Sequence, residues 1–313
     1  MSTLAQNEQQ NFIQEDEIDL RELWQTIKDG KRTVFLTTAI IVFFTLIFAL
    51  RTPNTYSAQA VLVPTEIDKG TLSSLGSLAA MAGVNIGGSA MTPDVAFQSL
   101  LDNYEFMHSF VLRHKIDEYY FDDNLSQRFV FALGFDGLYQ LTNSPKDWED
   151  IDREEEIFKL VEAIQKNFSI SSDKKSGLIT VAYSDYDRVF APQMVNKFLE
   201  DASKYLVENE LANIESRLRY FQEELTKAEG IELRQNISSL ISSILEKQIM
   251  TKSKKYYQCD ALSMPFEPYI KDKTKPKRGL IMVVGAVTGV ILGVFLVLFL
   301  AFIRKEEQEA PQN

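Results

Sequence analysis

The chain has 313 residues, a net charge of −11 and a single cysteine. The acidic balance argues against a nucleic-acid-binding protein, because such proteins usually carry a basic patch or stripe. Cys259 cannot close an intramolecular disulfide, and its simplest interpretation is a packed apolar side chain rather than a reactive thiol. The length allows two domains, or one domain with membrane anchors.

The amino-terminal region changes character before the first long apolar run. Residues 1–16 are polar and rich in Gln, Asn and Glu, a composition typical of disorder. Apolar side chains then follow a helical stripe at Ile18, Leu20, Leu23, Trp24 and Ile27. This stripe predicts a short amphipathic helix within the cytoplasmic tail, residues 1–33. The helix either lies on the membrane surface, with Trp24 at the interface, or packs on another protein segment.

Residues 34–50, VFLTTAIIVFFTLIFAL, form the first uncharged apolar run. The run is near the lower length limit for a helix that crosses the hydrocarbon core. Lys28, Lys31 and Arg32 precede it and only Arg51 follows closely, which predicts a cytoplasmic amino terminus by the positive-inside rule. The segment before the run is too long and too acidic for the n-region of a signal peptide, so we interpret the run as an uncleaved anchor.

Residues 279–303, GLIMVVGAVTGVILGVFLVLFLAFI, form a second and longer uncharged run. As a helix it would rise about 38 Å, which exceeds the roughly 30 Å of the hydrocarbon core. Gly285, Gly289 and Gly293 repeat every four residues and fall near one helix face. Because glycine lets another backbone approach closely, we predict that the three form a packing or oligomerisation face against the first span or another subunit.

The charges around the second run favour the opposite orientation. Five cations precede it: Lys271, Lys273, Lys275, Lys277 and Arg278. The first helix is given greater weight, because it usually dominates orientation and because long loops translocate largely regardless of charge. Both tails, residues 1–33 and 304–313, are therefore predicted to be cytoplasmic. Residues 51–278 are predicted to lie in the periplasm, outside a membrane crossed twice.

The predicted outer region begins with a strand over residues 56–63, where β-forming side chains alternate until Pro64. Residues 70–90 are mostly small, which favours a flexible or membrane-proximal loop. Apolar side chains at helical spacing then predict one helix over residues 94–115.

Residues 121–142 are aromatic and have no clear period. Ser144 and Pro145 are typical of a helix start, with a capping hydroxyl before proline at the first helical position. The predicted helix continues through apolar positions at Ile157, Leu160, Val161 and Ile164. Residues 168–171 and 178–184 then predict a hairpin, joined by the turn-rich residues 172–177.

Residues 187–228 carry the longest helical pattern outside the two apolar runs. A helix of this length would extend roughly 60 Å, too far to be buried within one compact domain. Gly230 is predicted to mark a tip, after which a second helical pattern returns over residues 233–247. The interpretation is an antiparallel hairpin of coiled-coil type, about residues 187–250, that projects from an α/β (α+β) base. The alternative is one helix that runs through Gly230 at a cost of about 1 kcal/mol.

Residues 264–278, MPFEPYIKDKTKPKR, lead into the second apolar run. Pro265, Pro268 and Pro276 remove backbone donors and favour extended backbone. With Lys277 and Arg278 they predict a stiff connector down to the bilayer.

The sequence contains no catalytic constellation that we recognise, and we predict no catalytic, cofactor-binding or metal-binding residues. The two histidines, His108 and His114, lie six residues apart, and Cys259 has no histidine near it in the sequence. The acidic residues at 149–156 are most simply a solvated helix face. We therefore expect no enzyme, although paired carboxylates in an unrecognised cleft remain an alternative.

These features together resemble the chain-length determinant family, the Wzz-type polysaccharide co-polymerases. The resemblance is carried by two terminal apolar runs, YSAQAVLVP after the first, the hairpin ISSDKKSGLITVAYS, and MPFEPYIKDKTKPKRG before the glycine-rich second run. After that hairpin the family often has an Asp-Pro pair, where this chain has Asp185-Tyr186-Asp187. Some relatives carry a cytoplasmic tyrosine-kinase domain, which is not expected here because about ten residues follow Ile303.

The resemblance implies an α/β base, a long protruding helical hairpin and ring-like oligomers in the inner membrane. It also implies a non-enzymatic role in setting the modal length of a surface polysaccharide made by a separate polymerase. The implied partners are further copies of the chain, the glycan polymerase, the growing polysaccharide and membrane lipid. Control could work by scaffolding the polymerase or by binding glycan. The alternatives are a two-span sensor, whose short tails provide no output module, and an adaptor of a polysaccharide export complex.

Overall fold

The computed structural model describes residues 20–65, 92–122, 124–132, 136–140 and 152–309. The predictions for residues 1–16 and for the loop at 70–90 lie outside these residues. The predicted start at Ser144 and Pro145 is wrong for the helix through Ile157, which begins at Arg153 because the side chain of Asp152 caps it by accepting the amide of Glu154. The chain divides into two units. One contains Met1–Thr52, Phe131–Tyr139 and Pro276–Asn313, and the other contains Pro53–Val130 and Gln140–Lys275.

Ten α-helices and four strands are described. The helices are α1 Leu20–Asp29, α2 Lys31–Arg51, α3 Pro93–Asp102, α4 Tyr104–Arg113, α5 Ile116–Tyr120, α6 Gly137–Gln140, α7 Arg153–Asn167, α8 Phe190–Lys227, α9 Ile231–Ser253 and α10 Arg278–Glu309. The strands are β1 Tyr56–Pro64, β2 Phe168–Ser172, β3 Ile179–Asp185 and β4 Cys259–Ser263. A short 3-10 helix covers Leu125–Arg128.

The first unit is built on two helices that are long and apolar enough to cross a membrane, α2 and Arg278–Ile303 of α10. They pack as an antiparallel pair. Along α10, Gly285 lies against Thr45 and Gly293 lies against Val34, so the start of α2 and the end of the apolar run share one end of the pair.

The amphipathic helix predicted before the first span is present as α1. Its junction with α2 is nearly continuous, because the amide of Gly30 donates to the carbonyl of Thr26 at 3.0 Å. Gly30 in turn lies against Val297 of α10, and α1 itself contacts α10. The helix therefore contacts another protein segment, while Trp24 is 70% exposed.

The second unit contains an antiparallel sheet in the order β2-β3-β1-β4. The predicted hairpin is confirmed, because Phe168 pairs with Tyr183 and Ser172 with Ile179. The predicted strand at 56–63 is confirmed as β1, which pairs with β3 along its length. β4 was not predicted from the sequence, and it pairs with the end of β1 across a register shift at Val61 and Leu62.

The core of this unit follows from the alternation of side chains along β1 and β3. Their inward positions are all buried: Tyr56, Ala58, Ala60, Leu62, Ile179, Val181 and Tyr183. Helices α3, α4, α7 and the first part of α8 supply the other side of this core. Each large apolar side chain buried in it contributes about 1.5–3 kcal/mol relative to an exposed one.

The prediction of a single helix over residues 94–115 is wrong, because the chain forms α3 and α4 with a break at Asn103. Asn103 has extended backbone, with φ −79° and ψ 112°. Its side-chain oxygen accepts a hydrogen bond from the amide of Phe106 at 2.8 Å. An asparagine side chain that caps a new helix competes with continuation of the old one.

The long helical hairpin is confirmed. α8 has 38 residues and extends about 57 Å. Its first part, from Phe190 to Ala202, belongs to the main core. Farther along, Phe221 and Ala228 pack instead with Ile237 of α9 in a separate cluster.

The structure excludes the alternative of one helix running through Gly230. Gly230 has φ +104°, a conformation that glycine adopts readily and that ends the helix. The side chains of Lys247 and Glu210 form an ion pair across the hairpin, so α9 runs antiparallel to α8.

Candidate functional site

Each of the three predicted packing glycines lies against α2. A Cβ added to Gly285 would meet the side chain of Thr45 at 2.6 Å. A Cβ at Gly289 would meet the Cα of Thr38 at 2.9 Å, and one at Gly293 would meet the Cα of Val34 at 3.0 Å. The nearest atom at Gly289 is backbone, and Gly293 has the backbone of Val34 at 3.0 Å besides the hydroxyl of Thr37 at 2.7 Å, so the two helices would have to separate to admit a side chain.

The threonines opposite these glycines satisfy their hydroxyl groups within their own helix. Thr38 donates to the carbonyl of Val34 at 2.7 Å, and Thr45 donates to the carbonyl of Val42 at 2.9 Å. Because these hydroxyls donate to carbonyls of their own helix, they need no polar partner on α10. An interface of this kind is suited to the interior of a bilayer.

Arg278, predicted as part of the connector, holds the ends of the two helices together. Its Nε donates to the carbonyl of Ala49 at 3.0 Å, and its Nη2 donates to the carbonyl of Thr52 at 2.9 Å. Carbonyls in the last turn of a helix have no partner within the helix, and a cation there also meets the negative end of the helix dipole. Lys277, by contrast, is exposed.

The connector is bonded to the beginning of β1. Thr55 donates its amide to the carbonyl of Lys275 and accepts the amide of Thr274 in return, both at 2.9 Å. The hydroxyl of Tyr56 also donates to the carbonyl of Ile270 at 2.9 Å. These bonds join residues 214 or more positions apart in sequence, so the connector is part of the folded unit rather than a free spacer.

The prolines of the connector lie in irregular backbone, as their restricted φ favours. Pro268 is buried, while Pro265 and Pro276 are half-buried. Arg188, which precedes α8, forms an ion pair with Glu267 at 2.8 Å and also reaches the carbonyl of Pro268. The connector is thereby bonded to the start of the long helix as well.

A polar cluster that sequence reasoning did not identify fixes the beginning of α8. The carboxylate of Asp187 accepts the amides of Val189 at 2.8 Å and Phe190 at 3.3 Å. Its other oxygen accepts the hydroxyl of Tyr119 at 2.8 Å. The Asp-Tyr-Asp sequence between a strand and a long helix is the signal that could have indicated it, because a carboxylate is a favoured helix cap.

Asp185, two residues earlier, belongs to the same cluster and is buried like Asp187. It accepts the amide of Asp187 at 2.8 Å and the hydroxyl of Tyr120, which also bonds the hydroxyl of Tyr183. Burial raises the pKa of the Asp185 carboxyl above its ordinary value, although the hydrogen bond from Tyr120 opposes the rise. Burial likewise raises the pKa of the Tyr120 and Tyr183 hydroxyls, which therefore stay protonated as donors.

A surface groove of about 410 Å³ lies between α4 and α8. Its lining combines rings with charged and amide groups: Asn103, Glu105, Phe106, Ser109, Arg113, Asp201, Lys204, Tyr205 and Glu208. The rings of Phe106 and Tyr205 meet edge to face at 5.6 Å. Arg113 donates to Asp201 at 2.9 Å.

The residues considered for catalysis are not brought together. His114 contacts Asp201 at 3.0 Å, whereas His108 packs beside the ring of Tyr104. Cys259 is 1% exposed, and burial raises the pKa of its thiol to about 12. Within the described ranges there is no group of three or more His, Cys, Asp or Glu side chains that could hold a metal ion.

Comparison with known proteins gives one family match. The family described as Wzz, chain length determinant protein, matches residues 16–112. This part of the chain contains α1, α2, β1, α3 and most of α4. The resemblance seen in the sequence is confirmed over this region, and no curated protein matches the chain.

Among solved structures, the fold is similar to one described as a full-length bacterial polysaccharide co-polymerase, with 12% identity and a TM-score of 0.38. That similarity covers 95% of this chain and 100% of the other. A second similar structure is a fragment of WzzB, a polysaccharide co-polymerase from Salmonella Typhimurium, with 13% identity and a TM-score of 0.26. That similarity covers 71% of this chain and 100% of the fragment. The family match, rather than these similarities, carries the functional argument.

Proposed function

We propose that this chain is a chain-length determinant, a membrane-bound polysaccharide co-polymerase that sets the modal length of a surface polysaccharide made by a separate polymerase. The observation that carries the proposal is the family match over residues 16–112. The long hairpin of α8 and α9, in a chain with two apolar helices of membrane-spanning length, supports it. The polysaccharide is an O-antigen of lipopolysaccharide, or a related capsule or exopolysaccharide.

The proposal includes an orientation in the inner membrane. The antiparallel packing of α2 and α10 supports two tails on one side, and Lys28, Lys31 and Arg32 favour the cytoplasm for that side. The second unit then lies in the periplasm. The positive charges that precede the second apolar run favour the opposite orientation. One of them, Arg278, is used within the helix pair, because it donates hydrogen bonds to the carbonyls at the end of α2.

Length control is proposed to need several copies of the chain together with the polymerase. The hairpin carries exposed apolar side chains on α9, with Leu245 42% and Ile249 68% exposed. Exposed apolar surface of this kind favours association with a further protein surface. The hairpins of a homo-oligomer would either scaffold the polymerase or contact the growing glycan, and no catalytic role is assigned to the chain itself.

The test is a gel of glycan extracted from a strain that lacks the gene. Synthesis should continue, but a clustered length distribution should become broad or skewed, and a plasmid copy of the gene should restore the cluster. An unchanged banding pattern would contradict the proposal and favour the two-span sensor. Complete loss of polymer would also contradict it and favour a component of an export complex.

A further inference from the structure

The first unit contains an apolar groove of about 400 Å³ alongside α1 and α2. The described residues that line it are Trp24, Ile27, Lys28, Lys31, Val34, Phe35, Thr38 and Val290. Among these described residues the two lysines carry the charge, and none is acidic. Lysine stems can line an apolar surface while their ammonium groups reach a polar region.

The packing register fixes the depth of this groove relative to the apolar helices. Gly30 lies against Val297, and the uncharged run of α10 continues to Ile303. That run therefore extends about 9 Å past the level of Gly30, alongside α1. Gly30, which lies between Lys28 and Lys31 in the chain, is level with Val297, and Val297 is 19 residues, or about 29 Å, along α10 from Arg278. Because the hydrocarbon core is about 30 Å thick, a bilayer whose other face lies at Arg278 places Lys28 and Lys31 at the depth of the lipid headgroups.

We propose that this groove binds one anionic phospholipid of the bilayer. Its phosphate contacts Lys28 and Lys31, and the first part of an acyl chain lies over Phe35, Thr38 and Val290. A phospholipid matches this lining chemically, because it joins an anionic head to an apolar tail. The groove has two cations at one end of an apolar surface and no carboxylate among its described lining residues. This site depends on the pair crossing a membrane and not on the role in polysaccharide length.

Arg32 provides a control for the roles of Lys28 and Lys31. Arg32 is exposed, lies next to Lys31 and carries the same charge, but it does not line the groove. A diffuse attraction between basic residues and an anionic surface would involve all three cations alike. A defined site predicts that only Lys28 and Lys31 matter.

The test uses the full chain, purified in mild detergent and mixed with equal amounts of palmitoyl-oleoyl phosphatidylglycerol and phosphatidylcholine. Native mass spectrometry counts each lipid per protomer. We expect the phosphatidylglycerol adduct to exceed the phosphatidylcholine adduct at least fivefold. Lys28→Gln with Lys31→Gln should abolish that preference, whereas Arg32→Gln should retain it. Equal binding of both lipids to the unchanged chain, or equal losses for Lys31→Gln and Arg32→Gln, would overturn the site.

A second pair of variants tests where the acyl chain lies. Val290→Trp fills the groove, while Ile291→Trp adds the same ring at an exposed neighbour that does not line it. Only Val290→Trp should lose the bound phosphatidylglycerol. If Val290→Trp instead abolishes a dimer and leaves lipid binding unchanged, a second copy of the chain covers the groove and the lipid assignment is wrong.

Discussion

Gly289 is the glycine at which a side chain would meet backbone most closely, because an added Cβ lies 2.9 Å from the Cα of Thr38. Alanine is favoured over glycine in a helix by about 1 kcal/mol, yet Gly289→Ala should destabilise the chain, since overpacking typically costs about 1–3 kcal/mol. Thermal unfolding in detergent, followed by circular dichroism, measures the change.

Gly279→Ala supplies the matched control for this prediction. Gly279 lies in the same helix and has no atom within 4 Å of an added Cβ. This variant should be neutral or slightly stabilising. Equal behaviour of the two alanine variants would mean that Gly289 is not a close-packing position.

Asp185 gives a prediction about pH. Its pKa is raised in the folded chain by burial, so folding favours the protonated form, and that stabilisation is present at low pH and lost as the pH rises through the raised pKa. The chain should therefore gain stability relative to Asp185→Asn as the pH falls from 7 towards 4. A rise of one pH unit in the pKa corresponds to about 1.4 kcal/mol.

Urea unfolding of the chain and of Asp185→Asn at several pH values measures this difference. Asp173, whose pKa is lowered by hydrogen bonds from the backbone of Lys175 and the hydroxyl of Ser176, is a suitable control. Relative to Asp173→Asn the chain should show the opposite slope, losing stability as the pH falls below the ordinary aspartate value of 3.8. A chain that loses stability relative to Asp185→Asn on acidification would contradict the assigned cause.

At the scale of single elements, the break between α3 and α4 depends on one side chain. Asn103→Ala removes the acceptor of the Phe106 amide and should destabilise the chain by about 1 kcal/mol. Asn103→Asp keeps an acceptor in the same place and should retain most of the stability. Denaturant unfolding compares the two variants, and equal stability of Asn103→Ala and the original chain would exclude a capping role.

The elements differ in how much of them the sequence could predict. β1, the β2-β3 hairpin and the long helices have strong periodic patterns, because each presents one face to a core. The break at Asn103 was missed because the apolar spacing continues across it. β4 was missed because only Cys259 of its five residues is buried, so the strand has no alternation to detect.

The polar cluster at the start of α8 was missed for a different reason. Asp185 and Asp187 meet Tyr119 and Tyr120 from a helix more than 60 positions earlier in the chain. Local sequence shows two carboxylates near a helix start, but it does not show which distant hydroxyls donate to them. The groove beside α1 depends similarly on Val290, which tertiary packing brings to α2.

For the whole molecule, the proposed orientation predicts which residues an impermeant thiol reagent can reach. Single cysteines at Gln6 and at Asp173, placed in a Cys259→Ser background, should differ in intact cells. The cysteine at 173 should label, because it lies in the exposed turn between β2 and β3. The cysteine at 6 should label only after lysis. The reverse pattern would invert the assigned topology.

Matched deletions in α8 and α9 shorten the hairpin and leave the ion pair of Lys247 with Glu210 across it. Phe221 of α8 packs with Ile237 of α9, so removing residues 218–224 and 234–240 takes two turns from each helix, together with that contact, and shortens the hairpin by about 10 Å. If the hairpin contacts polymerase or glycan, the modal length should shift towards shorter chains on a glycan gel. Arg219→Gln, an exposed change in the same region, is the control and should leave the mode unchanged. An unaltered mode from a well-expressed shortened chain would exclude the hairpin from length control.

The division of α8 between two separate clusters has a consequence for motion. Its first part shares the large core of the sheet, whereas its far part, among the described residues, packs with α9 in a small cluster that contains Phe221, Ala228 and Ile237. Regions with fewer buried apolar contacts open at lower free energy than the global core. The outer hairpin can therefore unfold locally and refold while the base stays folded. The first part of α8 is then stable with the core, and its far part opens more readily, although both belong to one continuous helix.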